Sequence, residues 1–369
     1  MSELSCTVFT PVQLPSGLEI PNRIVKSSVW EGATDENCNV LPSLVEIYEN
    51  LAAGGTGLIL LSATTVSSDG CLGHGQIGLF NDSHVDGVKQ LVDTIHKHSA
   101  KVGIQLAHAG LMAKGNVGPL LGPSTVDIPH VPNDNVPMTE DQIYEVIQLF
   151  VEAAKRAETA GVDLIQLHAA HGYLINQFLS SAFNHRDDGY GGGVINRARF
   201  LMEIVESIKA VVSVPIGVKI SGEDNIEGGN TIEDTVEICK LLAYCGVEFI
   251  EVSGGTGVSE AKVGVIRKGK FHHETEAYHL DYAKAIKSAL KEEDLNVIIS
   301  VVGGIRTVQG AQRCLEFVDM VSLGRPLVAE PDLPRKWLED PECAAFCKNC
   351  SGCFRPIFQK EVIRCIQKK

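Results

Sequence analysis

The chain lacks any apolar run approaching the ~20 residues of a membrane-spanning helix. Its opening residues, MSELSCTVFT, carry neither a basic stretch nor an apolar one of signal-peptide length. Both absences predict a cytoplasmic protein with no membrane partner. Clustered positive charge is missing as well: 32 Lys and Arg stand against 46 Asp and Glu, a net charge of -14. Nucleic acid binding needs grouped cations to neutralise phosphates, so a nucleic-acid partner is excluded. Disulfide spacing is absent too. Of 11 cysteines, Cys6, Cys38, Cys71, Cys239, Cys245 and Cys314 are scattered and read as reduced structural thiols.

What is present is the composition of an ordinary soluble α/β enzyme, with 44% hydrophobic residues and 36 Gly. The 369 residues exceed a usual single core, but (β/α)8 barrels reach ~250 residues and more as one domain. Residues 9–14 and 18–20 flank the turn Pro15-Ser16-Gly17 and predict a hairpin that could plug a barrel bottom. Short apolar strands then recur at 24–25, 57–61, 102–106, 164–167, 216–220, 249–252, 297–302 and 320–323, each followed by a helical pattern. Thr139 to Gln142 reads as a capping box, with Ile143, Val146, Ile147, Phe150 and Ala154 on one helical face. Eight strand–helix repeats predict a closed parallel barrel, with an open doubly wound sheet as the rival. The expected organisation is a barrel over 1–330, carrying the hairpin, and a Cys-rich extension over 331–369 packed on it. A Gly- and Pro-rich connection from Ala107 to Met138 should hang over the carboxyl face, where a lid or substrate loop belongs.

His168, His171 and Tyr173 follow the fourth strand, on the face where barrels carry their chemistry. Two satisfied core histidines are the bland alternative. Zinc is disfavoured, because the pair is three apart and no HExxH carboxylate accompanies it. Imidazoles can donate hydrogen bonds to an oxygen gaining charge, and a phenol can supply a proton. Gln105 could bond a heterocycle or simply cap its strand, and His108 could be a loop anchor or a site residue. Gly303-Gly304 and Gly324-Arg325 end the seventh and eighth strands, where glycine-exposed amides commonly bind phosphate and Arg325 could add a bidentate contact. Cys347, Cys350, Cys353 and Cys365 give C-x2-C-x2-C-x11-C. That spacing suits an iron-sulfur cluster, or zinc, against leftover free thiols.

QLAHAG at Gln105 to Gly110, HAAHGYLINQFLS at His168 to Ser180, NHRDDGYGG at Asn184 to Gly192, NRARF at Asn196 to Phe200 and the late GG and GR turns occur in order. As a set they resemble the Old Yellow Enzyme family of FMN-dependent NADH:flavin oxidoreductases. The resemblance implies one TIM barrel carrying FMN, with Ser27, Ala63, Gln105 and Lys219 around the isoalloxazine. Gly303, Gly304, Gly324 and Arg325 would hold its phosphate, His168 and His171 would grip a substrate carbonyl or nitro group, and Tyr173 would be the proton donor. Four departures stand out: Lys219 replaces a usual Arg, Leu111 an Arg after QLAHAG, Trp30 a Cys or Thr near the flavin, and Gly193-Val194-Ile195 a Ser-Leu-Glu.

The terminal cysteines look like those of the subgroup with 2,4-dienoyl-CoA reductase and trimethylamine dehydrogenase, which carry a [4Fe-4S] cluster and further nucleotide-binding domains. This sequence ends at Lys369 without them, so with a cluster here either the electron partner is another protein or direct reduction of FMN by NAD(P)H suffices. Self-association is left open. The implied activity is reduction of an electron-poor alkene of enone or enoyl type by NAD(P)H through FMN. The alternative is an FMN and iron-sulfur dehydrogenase that oxidises an amine or acyl substrate and passes electrons to a partner.

Overall fold

A computed structural model describes residues 7–114, 118–129, 131–269 and 276–368; Cys6 lies outside them. The expected hairpin pairs β1 (Val12–Gln13) with β2 (Glu19–Ile20) antiparallel. Barrel strands follow as β3 (Ile24–Lys26), β4 (Leu58–Thr65) and β5 (Lys101–Ala107). A small parallel pair, β6 (Leu120–Gly122) and β7 (Asn135–Pro137), interrupts them. The barrel resumes with β8 (Leu164–Ala169), β9 (Ile216–Ser221), β10 (Phe249–Ser253), β11 (Ile298–Val302) and β12 (Met320–Leu323). The eight close on themselves, β12 pairing parallel with β3, which excludes the open sheet.

The helices between strands form because apolar residues recur at helical spacing and the ends are capped. They run α1 (Pro42–Ala53), α2 (Val85–His96), α3 (Glu140–Ala160), α4 (Leu174–Leu179), α5 (Val194–Lys209), α6 (Ile232–Tyr244), α7 (Leu280–Glu292) and α8 (Val308–Leu315). In α3 the Thr139 hydroxyl accepts from the Gln142 amide at 3.2 Å, and the Gln142 side chain accepts from the Thr139 amide at 2.9 Å. The five apolar residues read as its inner face are all buried.

The side-chain alternation of each strand gives the barrel two surfaces. Outward residues such as Ile165, Leu167, Val218, Ile250 and Val252 pack with the helices in the main core. Inward residues at the amino ends, Val25, Leu58, Leu60, Leu164, Phe249, Ile298 and Met320, form a separate apolar cluster with Val12, Leu14 and Ile20 of the hairpin. The hairpin therefore plugs the bottom, as expected. The upper half of the barrel is left for polar side chains.

The described residues of the connection from Ala107 to Met138 pack more closely than their composition predicts. Leu111, Leu120, Val126 and Val131 make a small core of their own with Phe183. Arg186, from the polar loop after α4, ties this excursion down by donating to the carbonyls of Pro123 at 3.0 Å and Met138 at 2.6 Å. Leu111, one of the departures from the family pattern, serves that small core.

Candidate active site

The inward positions above the apolar plug carry Gln105, Gln166, Lys219 and Glu251, all buried. Gln105 Nε2 donates to Gln166 Oε1 at 2.6 Å, and Gln166 Nε2 donates to Glu251 Oε2 at 3.2 Å. Lys219 Nζ stands 3.4 Å from the same carboxylate oxygen and donates to Ser27 Oγ at 2.8 Å. A chain of hydrogen bonds and one ion pair thus crosses the barrel from β5 to the loop after β3. Buried charges persist only when paired, and here Lys219 and Glu251 sit opposite each other in register on β9 and β10. Gln105 is neither free nor a strand cap, since its amide is one end of this chain.

His168 lies inside β8, in register with Lys219, rather than after the strand end that the sequence predicts at 167. Its Nδ1 accepts from the Ala170 amide at 3.3 Å, which leaves Nε2 to carry the proton. Burial, followed by the Lys219 charge, holds its pKa well below the ordinary value, so the ring is neutral. His171 adopts φ 69°, and Gly172 follows at φ 82°. A left-handed histidine costs of order 1–3 kcal/mol, and it is held by the Ser221 hydroxyl, which accepts the His171 amide at 3.2 Å. Its Nε2 meets Ser253 Oγ at 2.9 Å. Burial, then His168, Lys219 and His279, lower its pKa strongly. Tyr173 stacks edge-on to His168 at 4.9 Å between ring centroids, as His171 does at 5.1 Å. Burial pushes the phenol up to about 12, so it remains protonated at neutral pH.

A cavity of about 110 Å³ opens beside this cluster. Ser27, His171, Lys219, Gly303, Gly304, Gly324 and Arg325 all line it. The sequence-predicted phosphate group is therefore brought to one place with three other expected site residues. Ala63, Gln105, His168 and Tyr173 are not among the lining residues. Gly303 and Gly304 take φ 143° and 74°, and a Cβ on Gly303 would come within 2.9 Å of His279 and Tyr278. Only glycine fits that turn. Arg325 starts the short helix α9 (Arg325–Ala329) and donates to the Arg267 carbonyl and to Ser351 Oγ, both at 2.9 Å. The Arg267 guanidinium lies 4.6 Å over the Tyr278 ring, with its buried Nε unbonded. The Arg325 guanidinium and the glycine turn have the donor chemistry to receive an anion. His108 is a loop anchor: its Nδ1 accepts the Gly110 amide at 3.0 Å, and its ring fills the space a Gly70 side chain would need.

Among the described residues no three His, Cys, Asp or Glu side chains stand as a preformed metal site. Cys347, Cys350, Cys353 and Cys365 nevertheless line one small cavity, which Arg325 also borders. Asn349 and Phe354 of the same segment reach the larger cavity. The cysteine segment thus packs against Arg325 at the edge of the larger cavity.

Residues 7–341 match the sequence profile of the NADH:flavin oxidoreductase / NADH oxidase family. This chain belongs to that family. An NADPH dehydrogenase of Halalkalibacterium halodurans is 36% identical over 323 residues, covering 87% of this chain and 90% of that protein. One from Listeria welshimeri is 38% identical over 315 residues, 85% and 88% of the two chains. The protein is therefore an FMN-dependent NAD(P)H oxidoreductase. Among solved structures, 2-naphthoyl-CoA reductase bound to 2-naphthoyl-CoA superposes with TM-score 0.87 at 25% identity, over 98% of this chain. Histamine dehydrogenase from Rhizobium sp. 4-9 gives 0.84 at 26%, over 99%. The chain spans 56% and 52% of those two longer proteins. An Old Yellow Enzyme homologue from Zymomonas mobilis shares the fold at TM-score 0.76.

Gln166, Glu251, Ser253, Arg267, Tyr278 and His279 escaped the sequence reading. The first two had a visible signal: a polar residue in the middle of an apolar strand must find a buried partner. His279 and Tyr278 had none, because they reach the cavity from the segment before α7.

Proposed function

We propose that this oxidoreductase reduces an electron-poor alkene conjugated to a carbonyl group. The observation that carries the reading is the interlocked set of His168, His171 and Tyr173 beside the cavity shared by Lys219 and the Gly303-Gly304 turn. The glycine turn and its neighbours suit FMN: Arg325 and the Gly303, Gly304 and Gly324 amides would hold its phosphate, and Ser27 and Lys219 of the cavity, joined by Ala63 and Gln105 on the family resemblance alone, would surround its ring. When bound and reduced by NAD(P)H, FMN supplies the hydride.

The protein's own work is then electrostatic and protolytic. His168 offers a neutral Nε2–H to the substrate oxygen, and the His171 ring, fixed by Ser253, completes the grip. Neutral donors stabilise charge that develops on that oxygen without neutralising it beforehand, an effect of about 3 kcal/mol for one donor. Lys219, beside His168 in register on the neighbouring strand, adds a positive field. Tyr173 is protonated at neutral pH and delivers its proton to the carbon next to the carbonyl. Tyr173→Phe is expected to leave flavin bleaching by NAD(P)H intact and to slow alkene-driven reoxidation by about 10²-fold or more. Rapid-mixing measurement of the two half-reactions distinguishes them, and equal loss in both would remove the role given to Tyr173.

A second reading is favoured by the packing of the cysteine segment against Arg325 at the edge of the cavity. The four thiols have the donor chemistry for a [4Fe-4S] cluster, which would supply a one-electron exit from the flavin. The substrate would then be an amine or acyl compound that is oxidised, with a separate protein taking the electrons.

A further inference from the structure

Away from the cavity just described, two of the thiols scattered in sequence meet in space. Cys38 belongs to the loop between β3 and α1, and Cys71 to the loop between β4 and α2. Both loops rise from the carboxyl face of the barrel. Cys71 is bonded to Gln76, Cys38 packs against Gly78 two residues further along that stretch, and the two thiols, close enough to perturb each other's ionisation, both border an open groove of about 740 Å³ that shares no lining residue with the cavity.

Each thiol is held in place. The Asp35 carboxylate accepts the amides of Asn37 at 2.9 Å and Asn39 at 2.8 Å, which winds the loop tightly and puts Cys38 at φ 64°. The Gly78 amide donates to the Cys38 carbonyl at 3.0 Å, and a Cβ on Gly78 would lie 2.8 Å from that of Cys38. Cys71 donates to Gln76 Oε1 at 3.2 Å, while Gln76 Nε2 donates to the Ala63 carbonyl at 2.8 Å. The thiol pair is thus coupled through one glutamine to β4, on which Ala63 lies.

We propose that Cys38 and Cys71 form a thiol–disulfide site, oxidised by a hydroperoxide, whose closure cross-links the two loops at the rim of the barrel mouth. In the first step the Cys71 sulfur attacks a peroxide oxygen, the O–O bond breaks, and one water (or alcohol) leaves, giving a sulfenic acid. Cys38 then attacks the Cys71 sulfur, the S–O bond breaks, and a second water leaves. Two thiols and one hydrogen peroxide become one disulfide and two waters; the thiols lose two electrons and two protons, and the peroxide is reduced. Cys71 is the better first nucleophile, because the neighbouring Cys38 thiol lowers its pKa to about 7 against the upward effect of burial. Cys38 is pushed up in turn by Cys71 and by burial. Closure removes the Cys71 bond to Gln76, yet Gln76 Oε1 keeps the Leu72 amide at 2.6 Å, so no buried acceptor is orphaned. Cys239 and Cys314 are buried and pushed upward by that burial, so they are poor competitors.

The sequence makes the test clean, because residues 27–89 contain no internal Lys or Arg and hold Cys38 and Cys71 as their only cysteines. The FMN-loaded full chain is treated with hydrogen peroxide, blocked with iodoacetamide and digested with trypsin. Peptide 27–89 is expected to appear unalkylated and lighter by two hydrogens, and to gain two alkyl groups only after reduction. In Cys38→Ser the same treatment should leave Cys71 trapped by dimedone as a sulfenic acid, whereas Cys71→Ser should leave Cys38 unoxidised. A peptide that carries two alkyl groups after peroxide, or either cysteine joined to a terminal one, would overturn the proposal.

Discussion

At the scale of single residues, the arrangement most exposed to test is the pair Lys219 and Glu251. Both are buried, and Glu251 Oε1 has no hydrogen-bond partner, so the carboxylate is held by Gln166 and Lys219 alone. Such a pair adds little net stability, but breaking it leaves an unpaired buried charge that costs about 3–5 kcal/mol. Glu251→Gln is accordingly expected to lower unfolding stability by roughly that amount, while the double change Glu251→Gln with Lys219→Met recovers most of it. Urea unfolding of the four proteins gives the cycle, and simple additivity of the two changes would show that they do not interact. The pair also explains what could be read from the sequence here. Phe-Ile-Glu-Val on β10, Val-Lys-Ile on β9 and Ile-Gln-Leu on β8 each put one polar residue inside an apolar run. That marked Lys219 as a site residue only through its resemblance to a family position, since the identity of its partners depends on strand register. Tyr278 and His279 were illegible for a different reason: they contact the site through the return of an irregular segment.

The elements were better foretold than their connections. Repeated apolar runs with helical spacing between them specified eight strands and a hairpin plug, because burial on both faces and alternation are properties of a few adjacent residues. The excursion after β5 showed only Gly and Pro in its sequence, and its small core is assembled with Phe183 from beyond α4. The cysteine segment poses the sharpest question at this scale. Its four thiols border one cavity together with Arg325, and Cys350 is exposed while Cys347 and Cys353 are buried. The structures of 2-naphthoyl-CoA reductase and histamine dehydrogenase match 98% and 99% of this chain, so the likeness extends into the segment. Protein purified without oxygen is expected to contain iron and acid-labile sulfide in equal amounts. Cys347→Ser should lose both while retaining FMN. Iron-free protein with a normal flavin spectrum would leave the alkene reductase reading without an electron exit to compete with it.

For the whole molecule, the cost of the site appears as a dependence of stability on acidity. His108, His168, His171 and His279 are all kept neutral, each chiefly by burial. In the unfolded chain a histidine titrates near pH 6.5. Each folded pKa lies lower, so below 6.5 the unfolded state binds protons that the folded state refuses. The stability from these rings is complete above that pH and is lost as pH falls toward the folded values. His108, held at about 4, contributes a loss on the order of 2 kcal/mol at pH 5 by itself. Asp224 and Glu276 act in the other direction: burial raises their pKa, and their contribution declines as pH rises through the raised values. Four rings against two carboxyls leave a net fall from pH 7 to pH 5. Urea midpoints measured at both pH values with FMN in fixed excess should drop at the lower one, and His108→Gln should shrink the drop whatever it does to the absolute stability. Equal midpoints at pH 7 and 5 would mean that the rings take up protons in the folded state. The neutral His168 and His171 donors on which the alkene chemistry relies would then have to be abandoned.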